Sequence, residues 1–364
     1  MSQIVVNATA ARTSGALSIL NQFINHIPQE SFDIYYIFVD AGYSQIPVNN
    51  VVYIKVDTGS WAKRIRWDGY GLKNWIKRNN IYPSLIISLQ NTGVKFDKRI
   101  PQLVYYHQPL TLASNVWHWY KREELLFFIY KHFYSYFVSR YIHSNTSFVV
   151  QIPSIKELFL KKFPIKEENV HVIPPEFHCE NINECQEPND DYIHFVYPAT
   201  PFLYKNHSVL LAALYYLKIN EAEIYGRIKL HLTLPERNAL NKKIDALGIK
   251  DAIVFEGVVP YLKLLSYYQT MQALLFPSYI ESFGLPLLEA ASTGMSIVAA
   301  DLPYVHDVIG DYDGVKFVDY KDEKAWASAM KGVFYDQKRN LPYKYKNKCG
   351  WSDFFALIER LKIK

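Results

Sequence analysis

Short apolar runs alternate with stretches of helical period along this chain, and the alternation starts twice. The first run, Ile4-Val-Val-Asn7, leads through residues 8–14 and Gly15 into a stretch with Leu17, Ile19, Leu20, Phe23 and Ile24 on one side. That is a strand, a loop and a helix. Runs at 33–39, 51–56, 85–89, 103–107, 148–151 and 170–173 read as further buried strands, with helices expected near 61–79 and 116–142 and from Ser154. Strands apolar on both faces need cover on both faces, and repeated βα units supply it around a mainly parallel sheet. Pro174-Pro175 breaks the pattern, and residues 174–191 hold six acidic residues and no Lys or Arg, a linker composition. Strands then return at 194–197, 228–234, 253–256, 273–276 and 296–300, with helices expected from Ser208 and over 260–270. A chain of 364 residues exceeds what one core serves, so two domains are expected. We place them at 1–173 and 192–350, with 174–191 as linker. A final helix, 351–364, carries its apolar stripe on Trp351, Phe354, Phe355, Ile358 and Leu361.

The chemistry concentrates in residues 276–294, Phe-Pro-Ser-Tyr-Ile-Glu-Ser-Phe-Gly-Leu-Pro-Leu-Leu-Glu-Ala-Ala-Ser-Thr-Gly. Two carboxylates, Glu281 and Glu289, flank a turn, Ser282-Phe283-Gly284, that opens into a helix at Leu285-Pro286. Gly284 lets backbone approach a ligand, and Pro tolerates the first helical turn. A helix N-terminus behind a glycine turn suits a pyrophosphate, leaving one carboxylate for sugar hydroxyls and the other for ribose hydroxyls. Spacing alone also fits a structural reading, with Ser278 and Glu281 as a capping box and Glu289 favouring the positive helix end.

The whole string, continued by Asp301-Leu-Pro, resembles the Glu-x7-Glu motif of the retaining glycosyltransferases of family 4. The resemblance implies the GT-B fold: α/β, two Rossmann-like, doubly wound, parallel-sheet domains facing a central cleft. It implies an acceptor-binding first domain, a donor-binding second domain, and a last helix that crosses back onto the first. It also implies transfer of a sugar from a nucleotide diphosphate sugar with retained anomeric configuration, with no cofactor and no metal.

The same resemblance assigns roles. Lys205, in Pro198-Ala-Thr-Pro-Phe-Leu-Tyr-Lys-Asn206, would neutralise the departing diphosphate, Asn206 beside it belonging to the donor site. Ser282, Phe283, Gly284 and Leu285 would offer backbone amides to the phosphates, Glu289 would hold ribose, and Glu281 would hold the sugar. His107, at the end of a strand, would contact the donor sugar. Ser14-Gly15 resembles the glycine turn of the first domain, and Arg12 beside it is a candidate phosphate ligand. An Arg that usually precedes the Lys is absent, since this loop offers only Ala199, Thr200 and Pro201. Two other readings share the frame: a nucleotide-sugar epimerase, and a non-catalytic sugar-nucleotide-binding subunit of a transferase.

Charge divides with the domains. Residues 1–173 hold 19 Lys/Arg and 11 Asp/Glu, a balance of +8, whereas the remainder holds 21 and 24, a balance of −3. The first half should face something anionic. Basic and aromatic residues interleave at Trp61-Ala-Lys-Arg-Ile-Arg-Trp67 and Lys73-Asn-Trp-Ile-Lys-Arg78, which favours an anionic membrane surface or lipid acceptor over nucleic acid. The aromatic stretch 119–142 reads mainly as packed helix. A polyprenyl-diphosphate-linked glycan, as in surface polysaccharide assembly, is the acceptor that this domain suggests. Three cysteines, Cys179, Cys185 and Cys349, suit a reducing compartment, and His178 with Cys179 and Cys185 has no usual zinc spacing. With a strand starting at once after Met1, no signal peptide is expected, and the anticipated location is cytoplasmic, peripheral at the inner membrane face.

Overall fold

The computed structural model describes residues 2–12, 14–177, 190–345 and 350–362. His178, Cys179, Cys185 and Cys349 lie outside them, as does most of the acidic linker. The chain forms two compact units, residues 1–176 with 347–364, and residues 177–346.

In the first unit seven parallel strands form one sheet: β1 (Gln3–Asn7), β2 (Ile34–Asp40), β3 (Val51–Val56), β4 (Pro83–Ser88), β5 (Gln102–Tyr105), β6 (Thr146–Val150) and β7 (Val170–Val172). Their order is β3-β2-β1-β4-β5-β6-β7. Alternate side chains go to opposite faces, as strand geometry requires. Ile4 and Val6 enter one core, with Leu20 and Phe23 of the helix Ser14–Asn25. Val5 enters the other, with Phe38, Leu72 and Ile76.

The C-terminal helix Gly350–Leu361 completes the first of these cores. Phe355 stacks on Phe23 with centroids 5.3 Å apart, and Trp351 stacks on Tyr105 at 5.9 Å. Burying Trp351, Phe354, Phe355, Leu357 and Ile358 contributes roughly 1.5–3 kcal/mol for each side chain. Gly350 starts this helix where a Cβ would stand 2.4 Å from the Pro174 carbonyl oxygen, so the close approach demands glycine. Lys362 then pairs with Asp33 at 2.6 Å.

The second unit repeats the plan with six parallel strands: β8 (Ile193–Tyr197), β9 (Ile228–Leu232), β10 (Ile253–Phe255), β11 (Ala273–Phe276), β12 (Ser296–Ala300) and β13 (Val315–Val318). Their order is β10-β9-β8-β11-β12-β13. Both sheets therefore reverse their direction of growth once, between β1 and β4 and between β8 and β11. The carboxyl ends of the strands at such a reversal are where open α/β sheets bind ligands.

The helical stretch 61–78 contains one widened turn, Trp67–Gly71. At Gly71 a Cβ would meet the Trp67 ring at 2.5 Å, so glycine permits the widening. The turn carries Asp68 inward, where it is buried. Helix was also expected throughout 116–142, but the structure confines it to the stretch from Leu125 to Ser139.

Candidate active site

At the β8/β11 reversal the two outgoing loops are fastened to each other. Tyr197, the last residue of β8, donates its hydroxyl to the Lys205 carbonyl at 2.6 Å. Asn206 takes a left-handed backbone, φ 56°, which Asn tolerates better than most residues. Its amide donates to the Tyr320 and Pro277 carbonyls at 2.7 and 3.3 Å. Asn206, expected at the donor, thus uses its side chain to hold three loops. The amide of Tyr279 donates to the Tyr204 carbonyl at 2.9 Å, and Tyr304 donates to the Ser278 carbonyl at 2.6 Å.

That frame sets Lys205 Nζ 2.5 Å from Glu281 Oε1, with the two side chains 18% and 14% exposed. The pair is largely shielded from water but not sealed from it, so a ligand that reaches it could replace either partner. Three tyrosines surround the carboxylate. Burial, and then the charge of Glu281, pushes the hydroxyls of Tyr197, Tyr204 and Tyr304 up, so all three stay protonated. The capping-box reading of Ser278 and Glu281 does not hold, because the helix Leu285–Ser292 starts four residues after Glu281. Its cap is Gly284, at φ 93°, with no side chain bonded to the first turn. An eight-residue helix that begins on an uncapped glycine turn leaves its first N–H groups to a ligand or solvent. Phe283 sends its ring into the core, Ser282 is half-buried and Leu285 is exposed.

Glu289 lies in the second turn of that helix and is buried. Burial pushes its carboxyl up to about 7, opposed by the hydroxyls of Tyr268 and Tyr261. A group poised there is neutral in part at physiological pH and regains full acceptor strength above it.

The first unit presents the sequence candidates differently. The guanidinium of Arg12 pairs with Asp40 at 2.6 Å. Gly15 has nothing within 4 Å of an added Cβ, so the fold itself makes no close approach there, and Ser14 begins the helix. His107 donates its backbone N–H to Asn91 Oδ1 at 2.7 Å. Burial lowers its ring to about 4, so the imidazole is neutral at ordinary pH, and its Nδ1 has no partner among the described residues.

The β1/β4 reversal holds a group that sequence reading passed over. Asp68 Oδ1 accepts from Asn7 Nδ2 at 2.9 Å and from Gln90 Nε2 at 3.0 Å. Gln90 Oε1 in turn accepts from the Ala10 amide at 3.1 Å, and Trp67 Nε1 donates to Asn7 Oδ1 at 3.2 Å. Burial pushes the Asp68 carboxyl up to about 7.

The basic and aromatic face also moves. Trp67 and Trp75 turn inward against Phe38, with centroids 5.4 and 5.0 Å away. The stretch read as packed helix instead exposes Trp119, Tyr120, Leu126, Phe133 and Tyr136 by more than half. Phe127, Tyr134 and Val138 are its buried side. A helix apolar on two sides does not reveal from its sequence which side faces out. Among the described residues no helix is long and apolar enough to cross a membrane, and no cluster of three His, Cys, Asp or Glu is arranged to hold a metal ion.

Residues 180–348 match the family described as "Glycosyl transferases group 1". The chain is 33% identical over 95 residues to the O-antigen chain mannosyltransferase RfbU of Salmonella typhimurium, 26% of each chain. Over 108 residues it is 32% identical to a D-inositol 3-phosphate glycosyltransferase of Corynebacterium urealyticum, 30% of this chain and 26% of that one. These matches relate the second unit, and residues 180–348 in particular, to that glycosyltransferase family.

The matched stretches span about a quarter of those curated relatives. Among solved GT-B structures, sucrose-phosphate synthase from Thermosynechococcus elongatus superimposes with a TM-score of 0.67 at 14% identity, over 99% of this chain and 96% of that one. WaaG, a glycosyltransferase involved in lipopolysaccharide biosynthesis, gives 0.65 at 14% identity, over 98% and 99%. At such identity they establish the fold, which is GT-B. The family motif falls on the β11 loop and the helix after it, where the structure sets Glu281 against Lys205.

Proposed function

We propose that this GT-B protein transfers a sugar from a nucleotide diphosphate sugar to a glycan or lipid-linked acceptor in surface polysaccharide assembly, with retained anomeric configuration and without a metal ion. The observation that carries the reading is the Lys205–Glu281 pair at the β8/β11 reversal, beside an uncapped helix N-terminus. Lys205 and the amides of Phe283, Gly284 and Leu285 bind the diphosphate, and Glu281, freed from the lysine, accepts sugar hydroxyls. Each such charge-stabilising donor contributes roughly 3–4 kcal/mol to the transition state. Glu289 accepts ribose hydroxyls. The neutral His107 ring and its carbonyl offer hydrogen bonds to a sugar hydroxyl. As the bond from the anomeric carbon to phosphate breaks, the acceptor oxygen bonds to that carbon on the same face. Its proton passes to the departing phosphate.

The relatives support this reading by name, one an O-antigen mannosyltransferase and others acting on an inositol phosphate. HepE of Anabaena, of the same fold, is solved with UDP and glucose. The first unit is the acceptor-binding one in this reading. Its exposed Leu126, Phe133 and Tyr136 on the helix run from Leu125, with Trp119 and Tyr120 ahead of it, suit an interfacial segment at the inner face of the cell membrane, with Arg122 toward anionic headgroups.

A screen of the purified chain against UDP-, GDP- and dTDP-sugars, read as nucleotide release, tests the reading with Glu281→Ala alongside. Release of one nucleotide that the variant abolishes supports a transferase. Binding without release, acceptor lipids included, overturns it in favour of a non-catalytic subunit.

A further inference from the structure

The widened turn and the helix run from Leu125 border a recess in the first unit. Asp68, Thr92 and Gly93 lie at its base, beside the carboxyl ends of β1 and β4. Its enclosed part is about 30 Å³, room for the oxygens of a small group and not for a sugar ring.

Two polar atoms of its lining are buried with no hydrogen-bond partner among the described residues, Arg64 Nε and Tyr141 Oη, while the Thr92 hydroxyl is turned to the Asp68 carboxyl. Both are able to donate. Buried polar groups are nearly always satisfied, so two unused donors around one recess point to a missing acceptor. Arg64 and Arg140 both line it, and the charge of Arg64 acts on the Asp68 carboxyl without a direct ion pair between them. Arg140 rests over the Tyr141 ring, its guanidinium carbon 5.2 Å from the centroid, and over Tyr136 at 5.8 Å. Asp68 is the one carboxyl group in the lining, and its Oδ1 is engaged by Asn7 and Gln90. Because burial pushes it up to about 7, it is not a fixed negative charge at neutral pH.

We propose that this recess binds an anionic group of the acceptor, a phosphate or a carboxylate, through the guanidinium groups of Arg64 and Arg140 and the hydroxyl of Tyr141. Planar guanidinium groups are suited to such oxyanions, and charge-assisted hydrogen bonds are the stronger kind. Trp61, at the wall, packs edge-on against Tyr130, Tyr134 and Phe137. The proposal rests on reading the first unit as the acceptor-binding one, and it names the chemical class of acceptor.

Calorimetric titration of the full chain with methyl phosphate and, separately, with methyl glucuronide tests it and separates the two sources of negative charge. Saturable binding of one probe is expected, weakened about tenfold or more in Arg140→Gln and Arg64→Gln, and less in Tyr141→Phe. Arg140 is an exposed side chain, so its variant remains informative if Arg64→Gln fails to fold. No saturable binding of either probe, or binding unchanged in both arginine variants, overturns the proposal and leaves a recess for water. A nucleotide diphosphate titrated into the same samples reads the second unit independently. Intact nucleotide binding with failed anion binding removes only this inference, whereas failed nucleotide binding in the unaltered chain strikes the donor-site reading.

Discussion

The two sheets reverse at corresponding places, after β1 and β8, yet fill the reversal with opposite chemistry. In the second unit it holds a full ion pair, Lys205 with Glu281, on loops clamped by Asn206 and Tyr197. In the first it holds a neutral-leaning knot, Asp68 with Asn7 and Gln90, sunk beneath the surface. One topology thus supplies a position, and the residues placed there decide whether it serves charge or structure. A partly exposed ion pair is available to a ligand, whereas a buried carboxyl hydrogen-bonded to two elements fixes the loops around it.

The largest expected effect is on turnover. Lys205→Met should lower the transfer rate about 10²–10³-fold, the loss typical of one preorganised charge-stabilising donor. Denaturant unfolding should change far less. A variant that unfolds instead of losing rate would make this pair structural, like the knot in the first unit.

Next comes the knot itself. The folded-state pKa of Asp68, about 7, lies above the usual 3.8. Between those values the folded chain holds a proton that the unfolded chain has lost, so this group's contribution favours folding less as pH rises from about 4 to about 7. Asp68→Asn removes that dependence. Relative to the unaltered chain it should gain stability between pH 5 and pH 8, on the order of 2–4 kcal/mol, read from urea unfolding at each pH. Parallel stability profiles for the two proteins would contradict the assignment.

A smaller effect is expected at Glu289, also raised to about 7 by burial. Its carboxylate accepts ribose hydroxyls best when ionised, so nucleotide affinity should rise as pH goes from 6 to 8. Glu289→Gln should cost about tenfold in affinity at pH 8 and flatten the profile, both read by calorimetry. The smallest concerns Arg12, whose pair with Asp40 is partly exposed. Arg12→Ala should cost about 0–1 kcal/mol in unfolding free energy.

Much of the fold was legible because parallel strands covered on both faces read as continuous apolar runs. β13 was not, since Val315–Val318 is four residues long and its Lys316 is exposed. The helix Glu323–Tyr335 escaped notice although Asp322 caps it through the Lys324 and Ala325 amides, a signal present in the sequence. For the candidate site, the string 276–294 singled out Glu281, but its contact with Lys205, 76 residues away, depends on strand order. Asp68 gave no sign in Trp-Asp-Gly-Tyr-Gly. Its burial follows from a widened turn and from partners 61 and 22 residues distant, which no local pattern encodes.

The most direct test of the central claim is the steady-state rate of nucleotide release from the cognate donor, with acceptor present, for the unaltered chain and Glu281→Gln. The account predicts a fall of about 100-fold or more in kcat, with nucleotide affinity and unfolding midpoint little changed. A Glu281→Gln protein that turns over at the unaltered rate would show that the ion pair at the β8/β11 reversal is structural and that the chemistry lies elsewhere.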